Sequence, residues 1–230
     1  MKKFVSLFFV LSLLISAIPM TAGAEILETD SGILYTKENG EVVIQGYDGS
    51  GTLLDIPDKI DGVPVKRIAA QTCRGDTVIT EVRIPKSVIS IGEYAFAECP
   101  NLTKAVISGG VFIGRSAFRD CKALLTLKLP DALESIDDFA FEGCTMLGTV
   151  KIPKGLNSIG NDAFMSCERL RFELNGNEAA KAYARKYNID TSFTDTWEFT
   201  LIMIVLVTAL LGGGLIFASK ALKKKNKKRP

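Results

Sequence analysis

The 230-residue sequence contains no histidine. That absence removes Ser-His and Cys-His nucleophiles, imidazole general bases and every His-containing zinc site. Its five cysteines never fall at the two-residue spacing of zinc ligands. No catalytic residue, cofactor site or metal site is expected, and the chain reads as something other than an enzyme. A surplus of one charge is missing too, but the formal net charge of +2 hides a segregation. Residues 1–24 carry only Lys2 and Lys3, and the last residues carry Lys220, Lys223, Lys224, Lys225, Lys227, Lys228 and Arg229. Residues 25–198 hold 19 basic residues against all 26 acids, a net of −7. Nucleic acid is therefore not an expected partner.

Two long apolar runs are present, one near each end. Residues 1–24 join a basic start, an apolar stretch from Phe4 to Ile18 and the small residues Ala22-Gly23-Ala24. This is the pattern of a secretory signal peptide with cleavage after Ala24; an uncleaved anchor helix is the alternative. Residues 199–218 are 20 residues without a charge. As a helix they would be about 30 Å long, the thickness of the hydrocarbon layer. Trp197 stands at the outer boundary, and the basic residues of 219–230 mark a cytoplasmic tail. The expected topology is single-pass in the cell membrane, with the middle of the chain extracellular. Ala209, Gly213, Gly214 and Ala218 sit at small-xxx-small spacings that offer weak homo-association, or equally a monomeric span. No LPxTG-like motif lies between Asn188 and Thr200, so retention in the membrane is preferred to wall sorting.

The middle is a repeat. The dipeptides Ala95-Phe96, Ala117-Phe118, Ala140-Phe141 and Ala163-Phe164 place Phe at spacings of 22, 23 and 23, and Cys99, Cys121, Cys144 and Cys167 follow each Phe by three residues. Ile84, Ile107, Leu129 and Ile152 recur in phase and are followed by Pro85, Ser108, Pro130 and Pro153. Ile91, Ile113, Ile136 and Ile159 lie five residues before each Phe. Segments such as Ile79-Thr80-Glu81-Val82-Arg83-Ile84 alternate with period two near their ends, which predicts a short strand. Gly92, Gly114 and Gly160 are read as permitting a sharp bend later in each coil. A unit of this size cannot bury its apolar side alone, and stacking equivalent units into ladders gives a solenoid with one continuous core. The expected architecture is an α/β repeat solenoid of about five to six coils with short strands and helical turns, plus one C-terminal transmembrane helix.

Leu147 to Cys167, Leu-Gly-Thr-Val-Lys-Ile-Pro-Lys-Gly-Leu-Asn-Ser-Ile-Gly-Asn-Asp-Ala-Phe-Met-Ser-Cys, resembles the repeat of the BspA-type leucine-rich repeat family. Ile44–Gly49 and Ile56–Val65 look like the first repeat of such domains, and Asn177–Asn188 looks like their closing helix. The resemblance covers about residues 34–193. It implies a bacterial surface protein that binds other proteins or cells. The expected division is a signal peptide at 1–24, an N-terminal cap at 25–50, the solenoid at 51–176, a capping helix at 177–190, a linker at 191–198, the span at 199–218 and the tail at 219–230.

Two coils depart from the pattern. Cys73 takes the Phe slot of the first coil, with Asp76 in the Cys slot, and one coil is a residue shorter with Gly109-Gly110 in its connection. The other four cysteines share one repeat position, where a small apolar residue packs inside; buried free thiols are expected, with a bridge as the alternative. Outward strand positions collect Arg83, Lys104, Lys128, Lys151 and Arg171, a basic stripe on an acidic domain and the candidate partner-binding face. An ordinary solvated face is the plain alternative. The expected function is non-catalytic protein binding at the cell surface, directed at another envelope or surface protein; the alternative is an adhesin for host or neighbouring-cell proteins.

Overall fold

The computed structural model describes residues 25–110 and 112–191. The signal-peptide, transmembrane and tail segments expected at 1–24, 199–218 and 219–230 lie outside the described residues. No helix among the described residues is long and apolar enough to cross a membrane.

The chain opens with strands β1 (Leu27–Glu28), β2 (Ile33–Glu38) and β3 (Glu41–Tyr47), paired antiparallel. Asn39 and Gly40, at φ 50° and 79°, make the left-handed two-residue turn that the twist of a β2–β3 hairpin favours. Strands β4 (Leu53–Asp55), β5 (Lys59–Ile60) and β6 (Val63–Ile68) follow, and β3 pairs in parallel with β6, which starts the solenoid. Each later coil supplies one strand to each of two arms. The front arm holds β4, β7 (Glu81–Ile84), β9 (Lys104–Ile107), β11 (Thr126–Lys128), β13 (Thr149–Lys151) and β15 (Arg171–Glu173). The back arm continues from β6 through β8 (Ser90–Ile91), β10 (Phe112–Ile113), β12 (Ser135–Ile136) and β14 (Ser158–Ile159). Helix α1 (Glu178–Tyr187) and strand β16 (Asp190–Thr191) close the described chain.

A third arm carries each Ala-Phe turn, and here the expected helical turns are replaced. The residue before each Ala and the second residue after each Phe are left-handed: Tyr94 and Glu98 at φ 54° and 60°, Ser116 and Asp120 at 53° and 56°, Phe139 and Gly143 at 58° and 74°, Asp162 and Ser166 at 54° and 61°. Two such residues four apart cannot lie in one α-helix. Their conformation turns alternate amides outward along the solenoid axis. Tyr94, Phe96 and Glu98 donate to the carbonyls of Arg115, Ala117 and Arg119 of the next coil at 3.0, 2.8 and 2.7 Å, whereas Ala95 and Ala97 bond within their own coil. The molecule is thus a β-solenoid of about six turns with one helix among the described residues, α1, rather than an α/β repeat.

The core is a set of ladders. Ile68, Ile91, Ile113 and Ile136 lie in one row, and Leu54, Val82, Ala105 and Leu127 in another, all buried. Phe96, Phe118, Phe141 and Phe164 stack with centroids 5.1, 5.3 and 5.1 Å apart and planes within 16° of parallel. This slipped parallel arrangement adds about 0.5–1.5 kcal/mol per pair to the burial of each ring. Gly92, Gly114 and Gly160 have ordinary backbone angles, and the reason for glycine there is close approach: a Cβ would come within 2.6, 2.8 and 2.3 Å of the preceding coil's backbone. In the short coil Gly110 takes φ 102°, and a Cβ on Gly109 would meet the Pro85 carbonyl at 2.2 Å.

Because each turn arm donates toward the next coil, the last one would end in orphan amides. The tyrosines of α1 accept two of them: Phe164 N donates to Tyr183 Oη and Asp162 N to Tyr187 Oη, both at 3.1 Å. Asn177 caps α1 by accepting from Ala180 N at 2.8 Å, while its Nδ2 donates to the Pro153 and Leu156 carbonyls at 3.0 and 2.8 Å.

Replacing Phe118 or Phe141 by Ala removes a ring stacked on both faces and should cost about 3–5 kcal/mol of unfolding free energy, read as a large drop in thermal midpoint. A midpoint within a degree or two of wild type would place these rings outside the core. Tyr183→Phe keeps the ring but strands the buried Phe164 amide. It should cost about 1–3 kcal/mol in denaturant unfolding, and an unchanged midpoint would show that the hydroxyl is not the cap.

Candidate binding face

Along the front arm, side chains alternate between core and solvent. Leu53, Glu81, Lys104 and Thr126 are in register across β4, β7, β9 and β11, and beside them run Asp55, Arg83, Val106 and Lys128. Farther on, Thr149 aligns with Arg171 and Asp190, and Lys151 with Glu173. All five cations singled out in the sequence therefore do lie on this face.

The structure pairs them with acids, among them Asp55, Glu81 and Glu173, which the sequence pattern also puts at outward strand positions. Glu81 lies 3.1 Å from Lys104 Nζ and 2.8 Å from Arg83 Nε, and these two hydrogen bonds, Lys104's first, hold its carboxyl below the usual value. Arg83 also reaches Asp55 at 3.8 Å, Lys151 reaches Glu173 at 3.7 Å and Arg171 reaches Asp190 at 3.8 Å. Exposed pairs of this kind add little stability, but they fix where each charge stands. Lys128 is the exception, exposed and with no ion pair among the described residues; its in-register neighbour is Val106.

The same face is interrupted. Strands β4, β7, β9 and β11 form one ladder and β13, β15 and β16 another, with no pairing between β11 and β13. A cleft of about 380 Å³ occupies the lapse, with Leu127, Leu129 and Pro153 on its apolar side and Lys128, Lys151, Asp131 and Glu173 among its charged groups. The other arms stay joined there: β12 pairs with β14, and Phe141 N donates to Ala163 O at 2.7 Å. Sequence reasoning missed this feature; the strand entrances differ between coils, but that difference alone does not mark it, since β9–β11 and β13–β15 pair with Leu125 and Leu170 at the same place. Thr80 and Thr103 open the preceding strands, and their hydroxyls donate across to the Thr52 and Thr80 carbonyls at 3.2 and 3.0 Å. The next two coils carry Leu125 and Gly148 at that position, neither of which has a hydroxyl, and the Gly148 N–Leu125 O bond lengthens to 3.4 Å.

The turn side is differently built. Its acids bond locally: Glu98 pairs with Arg74 at 2.6 Å, Asp137 accepts from Asp138 N at 2.7 Å, and Asp138 accepts from Asn161 N at 2.6 Å. The adjacent carboxylates Asp137 and Asp138 thus serve backbone amides. No group of His, Cys, Asp and Glu among the described residues is arranged to hold a metal ion.

All five cysteines are free thiols. They do more than fill space: Cys121, Cys144 and Cys167 Sγ donate to the carbonyls of Phe96, Phe118 and Phe141 in the preceding coil at 3.0, 3.2 and 3.1 Å, and Cys99 Sγ donates to Cys73 O at 3.0 Å. Burial is the leading cause that raises Cys73 and Cys144 well above the ordinary thiol value and Cys167 to about 12; for Cys121 a hydrogen bond with Cys99 leads, followed by burial.

These features define a leucine-rich repeat solenoid, built of stacked coils with a strand-lined lateral face. Residues 63–180 match the model of the BspA type leucine rich repeat region in six copies, and the chain belongs to that family. Among solved structures it is similar to a leucine rich cell surface protein of Faecalibacterium prausnitzii, at 27% identity and TM-score 0.57, over 74% of this chain and 40% of that one. It also shares its fold with the pneumococcal vaccine antigen PcpA, at 15% identity and TM-score 0.54, over 72% of this chain and 47% of that one. The chain therefore spans less than half the length of either. No curated protein matches it.

Native protein should react slowly with a thiol reagent near neutral pH and expose five thiols once denatured without reductant. Two or four missing thiols would establish bridges. Between the ordinary thiol value near 8.5 and the raised folded values, the unfolded state binds fewer protons than the native state. Stability therefore falls as pH rises through that window, which urea unfolding at stepped pH reads directly.

Proposed function

We propose that this chain is a non-catalytic protein-binding module of the bacterial cell surface, held in the membrane, which engages another envelope or surface protein through the front arm. Arg83, Lys104, Lys128, Lys151 and Arg171 supply the cationic contacts. Export by residues 1–24, anchoring by 199–218, the cytoplasmic basic tail and weak association through Ala209, Gly213, Gly214 and Ala218 belong to the same reading.

The observation that carries it is the preorganised charge on the front arm. Inward residues of these strands are locked into the core, so outward side chains present fixed positive and negative positions whose ordering cost is met by folding rather than by binding. A surface location is supported by the cell surface relative at 27% identity. An envelope partner is favoured over an adhesin role by reach. The eight residues 191–198 extend at most about 27 Å, and six coils at about 4.8 Å add roughly 30 Å, too little to emerge from a thick wall. Under a thin or absent wall the adhesin alternative regains its standing.

Cross-linking on intact cells with the full chain tests the face. Replacing Arg83, Lys128 and Lys151 together by Glu should abolish partner capture, whereas replacing the turn-side Glu93, Asp137 and Asp162 by Lys should leave it unchanged. Capture should also weaken with added salt, because exposed charges are screened beyond about 8–10 Å at physiological ionic strength. Loss of the partner in the turn-side variant alone would move the binding face to the opposite side.

A further inference from the structure

The lapse between β11 and β13 is a local opening in a solenoid otherwise joined on every arm. On the back arm β12 and β14 remain paired, and on the turn arm Phe139 N and Phe141 N still donate to Asn161 O and Ala163 O at 3.1 and 2.7 Å. Only the front edges part. Backbone groups of Thr126–Lys128 make no ladder with those of Thr149–Lys151, and they border a cleft with Leu127, Leu129 and Pro153 on its apolar side. At the entrance of the same two strands stand exposed apolar side chains, Leu125 at 54% and Met146 at 36%. Beside the cleft is Lys128, the front-arm cation singled out above that has no acidic partner among the described residues. An apolar seat, unladdered backbone and an unneutralised ammonium converge within one coil spacing.

We propose that this cleft docks an extended acidic segment of the partner protein, one apolar side chain seated against Leu127 and Leu129 and a neighbouring carboxylate on Lys128. The proposal rests on the front-arm reading and assigns its centre and its ligand chemistry. An extended peptide fits because the bordering strands offer main-chain donors and acceptors, which give affinity, while the seat and the ammonium give specificity. The charge on Lys128 sets the sign. The other four cations of the face already have acids within 4 Å, whereas a carboxylate at Lys128 gains its attraction without displacing one. Asp131 and Glu173, which also line the cleft, limit the site to one carboxylate and disfavour a uniformly polyanionic chain. Gly148 enters the parted strand, and threonine there would place a hydroxyl where Thr80 and Thr103 donate across to the preceding coil, a means of tightening this edge without touching the cleft lining. A Cβ at Gly148 would lie 3.7 Å from Leu125 O, an ordinary contact, and its backbone angle is not left-handed, so threonine is accommodated there.

The probe is a fluorescent peptide of about ten residues alternating Glu with Leu, long enough to cross two strands, titrated by anisotropy into the full chain in nanodiscs. A version with Gln for Glu and a short linear polyphosphate serve as comparisons. The Glu peptide should bind, and the Gln peptide should bind at least about tenfold more weakly, the scale of a lost charge-assisted hydrogen bond. Lys128→Gln should weaken the Glu peptide by a similar factor, and Arg74→Gln, on the turn side, should leave it unchanged. Gly148→Thr should weaken binding and slow amide exchange of Val150 and Lys151. Undiminished binding to Lys128→Gln, an exposed change that cannot threaten folding, overturns the proposal, as does equal binding of the Gln peptide or of polyphosphate. Gly148→Thr that slows exchange while binding persists also overturns it. If the triple front-arm variant loses cellular partner capture while Lys128→Gln and Gly148→Thr keep it, the face stands and the cleft falls. If all three keep it, the front-arm reading itself falls.

Discussion

The direction of the hydrogen bonds in the turn arm governs the rest of the molecule. Each inner coil sends three amides toward its C-terminal neighbour and receives three on its own carbonyls, as between Tyr94–Glu98 and Arg115–Arg119. Such a stack is polar along its axis and cannot end without a special device at the donor end, because a buried unpaired amide costs about 1–3 kcal/mol. The helix after the last coil answers that need with side chains rather than backbone. Tyr183 and Tyr187 lie one helical turn apart and deliver two acceptors to amides two residues apart. Asn177 fixes the helix start to the last proline connection through its own amide. Cap, helix and final coil therefore form one cooperative unit at the C-terminal end of the solenoid.

The same arm explains residue choices that composition alone leaves arbitrary. Left-handed angles at Tyr94, Phe139 and Asp162 cost about 1–2 kcal/mol apiece, and they recur because they are what turns alternate amides outward. Cysteine at the end of the turn is chosen for more than size. Its thiol is small enough for a buried slot and still donates to the carbonyl of the preceding coil's Phe, which is already shared with a backbone amide at 3.3 Å in Phe118 and Phe141. Alanine would fill the slot without donating, and serine would bring a more strongly hydrated hydroxyl into an apolar ladder. Burial then keeps Cys144 and Cys167 protonated, as expected of structural rather than reactive thiols.

Periodicity made the fold legible because each ladder position repeats its chemistry: Ile over Ile, Phe over Phe, Cys over Cys. Even the atypical Cys73 was placed by counting, and its amide donates to Ala95 O as a Phe-slot residue should. What periodicity could not show was conformation between the anchors. Ala-Phe turns have helix-like composition, and nothing in the residue types alone announces left-handed angles at Tyr94 or Phe139. The basic stripe was legible as a row of cations but not as a charge lattice. Its acids, Glu81 and Asp55, stand two residues or one coil away, and their closeness depends on register and rotamer. Tyr183 and Tyr187 were visible within the segment that resembles a closing helix, whereas their role as substitute carbonyls depends on where the last coil ends.

The front arm shows why a repeat scaffold can acquire a local site without losing its stack. Three arms join each pair of coils, so one can part while two hold. Between β11 and β13 one edge is loosened while the buried Phe and Cys ladders stay intact. A site made this way inherits rigidity from the neighbouring coils and specificity from the few side chains that border it. In a face where Glu81, Asp55, Glu173 and Asp190 already occupy most of the cations, the charge left over carries recognition. Attraction to a partner is then set less by the net −7 of residues 25–198 than by the position at which the lattice of pairs is incomplete.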